Sequence, residues 1–302
     1  MTRRGAVLFA AMCVIWGLPY LLIRIAVRDL SPADLVFART AIGALLLVPV
    51  AAGRGAFGGL RGHWRWVLVY TAVELTIPWL LLSSAEEHLT SSLAGLLVAA
   101  VPLVGIAITR LLGLAEEMTT QRWAGLLVGI AGVASLVGLQ VGKVDMAAVG
   151  EIGLVSVGYA LGPLVLTHRL GDAPGLGVVA ASLGITAVVY APVAIARPPH
   201  HLTEEVIWSV IGLALICTAL AFVVFFWLIA EIGPTRATVI TYVNPAVAIA
   251  LGVAVLGEHV TTGMIVGFPL VLAGSYFATA RRVAGESEPL DPIVDEPLVS
   301  PG

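Results

Sequence analysis

Long uncharged apolar stretches occupy most of this chain. Six of them approach or exceed the roughly 18 to 20 residues that a membrane-spanning helix needs, and they cover residues 5–23, 89–109, 123–142, 206–230, 237–257 and 260–280. Weaker stretches of suitable length fill the gaps, at residues 35–52, 66–84, 152–167 and 175–196. The pattern predicts ten transmembrane helices, which we call spans 1 to 10 in chain order.

Composition agrees with this pattern. Of the 302 residues, 59% are apolar and only 12% are charged, which is far from the composition of soluble domains. The net charge of -3 gives no reason to expect a nucleic-acid partner. Cys13 and Cys217 fall inside spans 1 and 8, so no disulfide framework is expected. We therefore expect an all-α membrane protein whose surroundings are the lipid bilayer.

The distribution of basic residues predicts the orientation. With the N-terminus in the cytoplasm, the inside segments hold eleven cations: Arg3, Arg4, Arg54, Arg61, Arg65, Arg110, Arg122, Arg169, Arg236, Arg281 and Arg282. The outside loops hold three: Arg28, Lys143 and Arg197. By the positive-inside rule, both termini are expected to be cytoplasmic. The acidic, proline-rich residues 281–302 are then expected to form a disordered cytoplasmic tail.

One phrase occurs twice, as EEMTTQRWAGLLVGIAG from Glu116 and as EHVTTGMIVGFPLVLAG from Glu258. Both copies read E-x-x-T-T-x4-G-x6-G, and they fall in the links between spans 4 and 5 and between spans 9 and 10. Because each half has five spans, an odd number, the second half enters the membrane from the opposite side. The sequence predicts two inverted five-helix repeats, residues 1–142 and 143–280, as found in many secondary transporters.

The repeated residues also have a plain structural interpretation. Threonines that begin spans 5 and 10 can cap free backbone N–H groups, and an acid beside them suits a helix N-terminus. Glycines seven residues apart lie on one helix face and allow close packing in lipid, within the chain or between two copies of it. We assign Glu116 and Glu258 a structural or gating role, and the oligomeric state stays open between monomer and homodimer.

The two copies of this phrase, the Trp16-Gly17 pair, the FAR sequence at residues 37–39 and the prolines of spans 4 and 9 resemble the EamA-type transporters of the drug/metabolite transporter superfamily. The resemblance covers residues 5–280. It implies ten helices in two inverted halves around a central cavity lined mainly by helices 1, 3, 4, 6, 8 and 9. The first copy differs in having an extra residue before Glu116 and a second acid, Glu117.

Polar residues inside the spans are the candidates for a functional site, because each needs a partner or a water-filled cavity. Glu74 lies near the middle of span 3, where an unpaired charge costs on the order of several kcal/mol. It can alternate between a proton and a cationic substrate, or it can be a protonated structural acid. Aromatic and amide side chains suit a small amphipathic solute, although each can also be a lipid-interface anchor. The further candidates for substrate binding are Trp16, Tyr20, Trp79, Tyr159, Tyr242 and Asn244.

Arg39 in span 2 is interpreted as the member of a structural salt bridge, to Asp34 or to a neighbouring helix. Prolines inside spans remove backbone hydrogen bonds and are candidate bending points for a conformational change. These are Pro19, Pro78, Pro102, Pro163 and Pro245.

The sequence thus predicts a secondary transporter of a bacterial inner membrane, exporting small metabolites such as amino acids by alternating access, with protons as a further possible partner. An uncoupled facilitator or exchanger of a sugar, nucleoside or drug-like compound is the alternative. A membrane-embedded enzyme is disfavoured because no nucleophile or metal-ligand motif is found. No cofactor and no metal are expected.

Overall fold

The computed structural model describes residues 2–113, 119–139, 144–199, 201–237 and 239–279. These residues form ten long helices, which are α1 Arg3–Ala26, α2 Pro32–Gly53, α3 Trp64–His88, α4 Ser91–Leu111, α5 Thr120–Gly138, α6 Met146–Arg169, α7 Gly175–Ala196, α8 Glu204–Ile232, α9 Ile240–Leu256 and α10 Thr262–Thr279. A short 3-10 turn, Gly58–Leu60, and a single helical turn, Pro234–Ala237, lie between them. The predicted tail lies outside the described residues.

Nine of the ten helices in the described part of the chain are long and apolar enough to cross a membrane. The tenth, α9, has 17 residues and is preceded by the Pro234–Ala237 turn. The all-α prediction with ten spans is confirmed, and most boundaries agree within a few residues. Span 5 was extended to residue 142, whereas α5 ends at Gly138.

Helix packing follows an internal two-fold relation. α1 packs against α8 and α9, and its counterpart α6 packs against α3 and α4. Each of the remaining main contacts joins a helix to its own counterpart: α2 to α7, α4 to α9, and α5 to α10. A rotation that exchanges the two halves reproduces this set of contacts, as expected for inverted repeats.

The glycines of the repeated phrase explain the tightest of these contacts. A Cβ on Gly132 would lie 2.9 Å from the Gly267 carbonyl oxygen, and a Cβ on Gly274 would lie 2.7 Å from the Gly125 carbonyl oxygen. The glycine faces of α5 and α10 therefore meet inside one chain, and only glycine allows backbones this close. These faces are buried against each other within the described chain.

Two helices contain a π-helical segment at corresponding places. Six residues of α3, Thr71–Thr76, and six of α8, Leu215–Leu220, have π geometry. α3 and α8 are the third helices of their halves, so the segments are repeated along with the fold. Short π segments inside α-helices occur frequently at functional sites. The hydrophobic pattern does not distinguish π from α geometry, so neither segment is predicted from the sequence.

The five prolines predicted as bending points lie in different local structures. Pro78 directly follows the π segment of α3, and Pro102 follows an interruption of α4 at residues 99–100. Pro19, Pro163 and Pro245 lie inside continuous helical segments. Only the first two therefore coincide with a break in regular α-helical hydrogen bonding.

Candidate functional site

Glu74 lies inside the π segment of α3 and faces α6. The contact is close because α6 has glycine there: a Cβ on Gly162 would lie 2.8 Å from the Glu74 Cδ atom. The carboxylate oxygen Oε2 of Glu74 is shielded from solvent and has no hydrogen-bond partner among the described residues. A carboxyl group so placed can hold a proton or bind a cation, because an unpaired ionised acid is strongly disfavoured in the membrane interior.

Arg39 is buried and lies beside the π segment of the other half. Its guanidinium carbon is 3.7 Å from the centroid of the Trp79 ring, and its Nε donates a hydrogen bond of 2.8 Å to Thr218 Oγ1. The predicted ion pair with Asp34 is wrong, since no carboxylate lies within ion-pair distance of Arg39 in the described residues. Asp34 instead accepts a hydrogen bond of 2.6 Å from Ser31 at the start of α2.

Tyr159 connects these groups. It lies within electrostatic range of Glu74 and Arg39 and beside the Trp79 side chain, and it packs against both of the large apolar clusters of the protein. Tyr20, from α1, lies within range of Tyr159. We call Tyr20, Arg39, Glu74, Trp79 and Tyr159 the central cluster. It combines an acid, a cation and three aromatic side chains contributed by α1, α2, α3 and α6.

α7 holds the π segment of α3 in place. Thr71 donates a hydrogen bond of 2.8 Å to Ser182, and the Thr76 and Thr186 hydroxyls are 2.9 Å apart. The Tyr190 hydroxyl donates to the Thr76 carbonyl oxygen at 2.8 Å. π geometry changes the regular backbone pairing, and side-chain hydroxyls can satisfy the groups that it frees. These contacts fix the part of the chain that presents Glu74.

The structure places three predicted binding residues elsewhere, at contacts between helices. Trp16 packs against Phe225 of α8, with ring centroids 4.7 Å apart. The Asn244 amide, with its nitrogen turned toward carbonyl groups, donates to the Cys13 carbonyl oxygen at 3.2 Å and so joins α9 to α1. The Tyr242 hydroxyl lies 3.2 Å from the hydroxyl of Thr279 on α10.

The repeated phrase supplies helix caps. Thr119 accepts a hydrogen bond from Arg122 N at 3.3 Å, and Thr261 accepts one from Met264 N at 3.3 Å, so both threonines cap the helices that they begin. Glu258 caps a different helix, α4 of the other half, whose first backbone N–H groups donate to its two carboxylate oxygens. Glu116 lies outside the described residues.

Sequence reasoning missed two acids near the end of α3. Span 3 is predicted to end at Ser84, which leaves Glu86 outside it, but α3 continues to His88 and Glu86 is fully buried. Glu151 of α6 accepts a hydrogen bond of 3.0 Å from Ser84, while its second oxygen is buried without a partner. The charges in this stretch led the prediction to stop the helix early.

A separate apolar cleft of about 630 Å³ lies between α4, α5 and α6. Its walls are aliphatic residues, glycines and alanines, and Ser156 is the one hydroxyl among them. No member of the central cluster lines it. The cleft therefore offers an apolar surface and lacks the charged groups of the central cluster.

Comparison with solved structures agrees with the architecture. One crystal structure matches with a TM-score of 0.65 at 19% sequence identity, covering 92% of this chain and 97% of its own. At that identity the match shows the fold alone.

Curated relatives are similar along nearly their whole length. The "uncharacterized inner membrane transporter YedA" of Escherichia coli strain K12 is 28% identical over 90% of this chain and 92% of its own. The "uncharacterized transporter YoaV" of Bacillus subtilis is 22% identical over 89% and 94%. A "probable terminal-alkyne amino-acid exporter" of Streptantibioticus cattleyicolor is 24% identical over 92% and 94%.

The sequence profile of the EamA-like transporter family matches residues 3–138 and 151–280, one match for each five-helix half. Its two matches together span most of the chain and coincide with the inverted repeat seen in the helix packing. This multi-pass membrane protein therefore belongs to the EamA-like transporter family, which confirms the resemblance drawn from its repeated phrase.

Proposed function

We propose that this transporter exports small zwitterionic metabolites, such as amino acids, in exchange for protons and by alternating access. The observation that carries the proposal is the Glu74 carboxyl group, which is placed midway along a membrane helix with a shielded oxygen that lacks a partner among the described residues. Such a group has to be neutralised, by a proton in one state of the cycle and by a substrate ammonium group in another.

Arg39 supports a substrate that also has a negative end. Its one hydrogen bond within the described residues uses Nε, and its ring contact is with Trp79, so no carboxylate neutralises it there. A guanidinium group binds carboxylates in a planar, two-point geometry. Arg39 and Glu74 both lie within electrostatic range of Tyr159, so the site offers opposite charges to the two ends of one small molecule.

The inverted repeat supports the transport mechanism. Two similar halves of opposite orientation can exchange conformations and open the centre first to one face and then to the other. The central cluster draws on the interface between the halves, since α1, α2 and α3 belong to the first and α6 to the second. With both termini cytoplasmic in a bacterial inner membrane, inward proton movement would then accompany outward substrate movement.

The named exporter among the relatives supports the substrate class. Its printed name assigns an amino acid to that protein. Glu74 and Arg39 are the reason to propose a zwitterionic substrate. The exporter shows only that a similar chain is named for an amino acid.

The test uses the purified full chain in liposomes that contain a pH-sensitive dye. A panel of amino acids, sugars and nucleosides is added, and solute uptake and proton movement are compared between wild type, Glu74→Gln and Glu87→Gln. Glu87 is an exposed acid of the same helix and serves as the matched control. We expect at least one solute to move protons with wild type and with Glu87→Gln, and not with Glu74→Gln.

Two outcomes would contradict the proposal. If solutes cross equally well with all three proteins and no protons move, the protein is a facilitator and Glu74 is structural. If amino acids do not cross while sugars or nucleosides do, the substrate class is wrong.

A further inference from the structure

Two arginines from different halves of the protein contact one tryptophan ring. The guanidinium carbon of Arg169, at the end of α6, lies 4.6 Å from the centroid of the Trp66 ring. That of Arg65, in the first turn of α3, lies 5.7 Å from the same centroid. A guanidinium that contacts an aromatic face keeps N–H groups free to donate hydrogen bonds. The contact therefore gathers two cations with unused donors at the end of the bundle where α3 begins and α6 ends.

Neither cation is neutralised by the described part of the chain. Both side chains are exposed, and within the described residues neither donates a hydrogen bond or forms an ion pair. Asp172, the acid closest to Arg169 along the chain, is beyond ion-pair distance. Two cations on one ring repel each other, and an anion bound to both offsets that repulsion. His63 makes no side-chain cap at the start of α3, so free backbone N–H groups there also favour an anion.

A further pair of cations lies at the same end of the bundle. The link between α2 and α3 packs on the turn that follows α6, where a Cβ on Gly59 would lie 2.6 Å from Pro174 Cδ. This link carries Arg54 and Arg61, and both are exposed. They add to the positive potential around the Trp66 ring, which favours a negatively charged ligand.

The surface beside Arg65 is apolar and faces outward. Arg65, Leu68 and Val69 share one helix face by their spacing, and Leu68 and Val69 are 52% and 40% exposed. On a membrane-spanning helix such a face contacts acyl chains. Arg65 therefore lies where the acyl-chain region ends, and the neighbouring Trp64 and Trp66 are typical of this interface. A ligand with a phosphate and acyl chains fits both surfaces.

We propose that Arg65, Trp66 and Arg169 form a binding site for the phosphate diester of an anionic phospholipid. The two guanidinium groups donate to the phosphate oxygens, whose geometry they match. The acyl chains follow the apolar face of Leu68 and Val69. Basic groups between transmembrane helices at a cytoplasmic surface are typical of lipid headgroup sites. The bound lipid joins α3 of the first half to α6 of the second, and its site is independent of the substrate and of the coupling acid.

Native mass spectrometry of the purified full chain, titrated with phosphatidylglycerol or with phosphatidylcholine of the same acyl chains, tests the site. We expect phosphatidylglycerol to bind more tightly. Arg65→Gln and Arg169→Gln should each weaken its binding by roughly fivefold, because each removes one cation from the membrane surface. Arg169→Lys retains the charge and should still weaken binding, because lysine lacks the planar group that binds two phosphate oxygens at once.

Arg3→Gln is the matched control. Arg3 is exposed at the start of α1, at the same face of the membrane as the start of α3, and its substitution removes the same charge. It should leave phosphatidylglycerol binding unchanged. Equal weakening in Arg3→Gln would mean that overall positive charge, and not a site, attracts the lipid, and would overturn the proposal. Equal binding of the two lipids by wild type would overturn it as well.

Inorganic phosphate distinguishes a lipid site from a site for a free anion. At the same concentration as the lipid, it should leave phosphatidylglycerol binding unchanged, because it lacks the acyl chains that contact α3. If inorganic phosphate displaces the lipid at that concentration, and does so only when Arg65 and Arg169 are present, the site binds a soluble phosphate and the assignment to a lipid is wrong.

Discussion

The buried polar side chains of this protein are satisfied unevenly. Arg39 and Thr218 are paired with each other, and Thr71 is paired with Ser182, so these residues stabilise the contact between the halves. Glu74 and Glu86 keep carboxylate oxygens that receive no hydrogen bond from any residue that the structure describes. Unsatisfied buried groups are rare in folded proteins because they cost free energy, and their retention in a transporter is consistent with groups that bind something during the cycle.

The spacing between α3 and α6 at Glu74 leads to a first prediction. In Gly162→Ala the new Cβ would collide with the Glu74 carboxylate, which must move because it is the flexible end of a side chain. We expect the variant to fold, with its free energy of unfolding lowered by only about 1 kcal/mol. It should lose most of its Glu74-dependent proton movement in the dye assay.

Gly153→Ala is the matched control on the same helix, since a Cβ there has no neighbour within 4 Å. It should leave both stability and proton movement unchanged. Wild-type proton movement in Gly162→Ala would show that the position of the Glu74 carboxylate does not matter to coupling.

At the scale of elements, small residues and π segments decide how the helices meet. α5 and α10 approach through four glycines, which occupy the two glycine positions of each copy of the repeated phrase. α3 and α8 each carry a π segment, and in α8 the Thr218 hydroxyl donates to the Leu213 carbonyl oxygen five residues earlier while it accepts from Arg39. Thr218 therefore satisfies its own helix and holds a residue of the central cluster.

Glycine packing gives a second prediction. A Cβ on Gly132 would lie 2.6 Å from Val271 N and 2.9 Å from the Gly267 carbonyl oxygen. These are backbone atoms, so α5 and α10 would have to separate. We expect Gly132→Ala to lower stability by roughly 1–3 kcal/mol, measured by thermal unfolding in detergent.

The control is Gly184→Ala on α7, where a Cβ would have no neighbour within 4 Å. It should be neutral or slightly stabilising, because alanine favours a helix more than glycine does. Equal stability of the two variants would mean that the close approach of α5 and α10 is not required.

For the whole molecule, each half provides a carboxylate that binds the start of a helix in the other half, at the end of the bundle where α1 terminates. Asp29, in the first half, accepts hydrogen bonds from the Thr203 backbone N–H at 2.9 Å and from the Thr203 hydroxyl at 2.8 Å, at the start of α8. Glu258, in the second half, binds Ser91 and Ser92 at the start of α4. A carboxylate at a helix N-terminus is favoured by the free N–H groups and the helix dipole. These hydrogen bonds join the two halves at this end of the bundle.

The Asp29 cap predicts a pH dependence. The hydrogen bond from the Thr203 backbone N–H, followed by that from its hydroxyl, lowers the pKa of Asp29 below its usual value of 3.8. A lowered pKa in the folded state contributes stability above the unfolded-state pKa, and this contribution is lost as the pH falls through the folded-state pKa. We expect Asp29→Asn to be less stable than wild type at neutral pH, and the difference to shrink below about pH 4.

Thermal unfolding as a function of pH measures this difference. Asp172→Asn, in the exposed turn between α6 and α7, serves as the control and should follow the wild-type profile. A difference between wild type and Asp29→Asn that is the same at every pH would show that the Asp29 charge does not contribute to the contact.

The sequence by itself determined the ten helices and their inverted arrangement. Apolar length is a one-dimensional property, and lipid leaves the helix as almost the only structure that satisfies the backbone. The repeated phrase identified the threonine caps at Thr119 and Thr261 because capping is local. Glu74 was identified as well, since a charge inside an apolar run is visible without any structure.

Only the tertiary structure decided which side chains meet. Trp79 and Tyr159 lie beside Arg39, whereas Trp16, Asn244 and Tyr242 lie at other helix contacts, and helical periodicity cannot tell one apolar neighbour from another. The π segments are likewise not predictable from the sequence. The hydrogen bonds that accompany them, from Arg39 to Thr218 and between α3 and α7, join residues more than a hundred positions apart. Glu86 lies beyond the predicted end of span 3, and the packing of α1 and α6 around the end of α3 buries it.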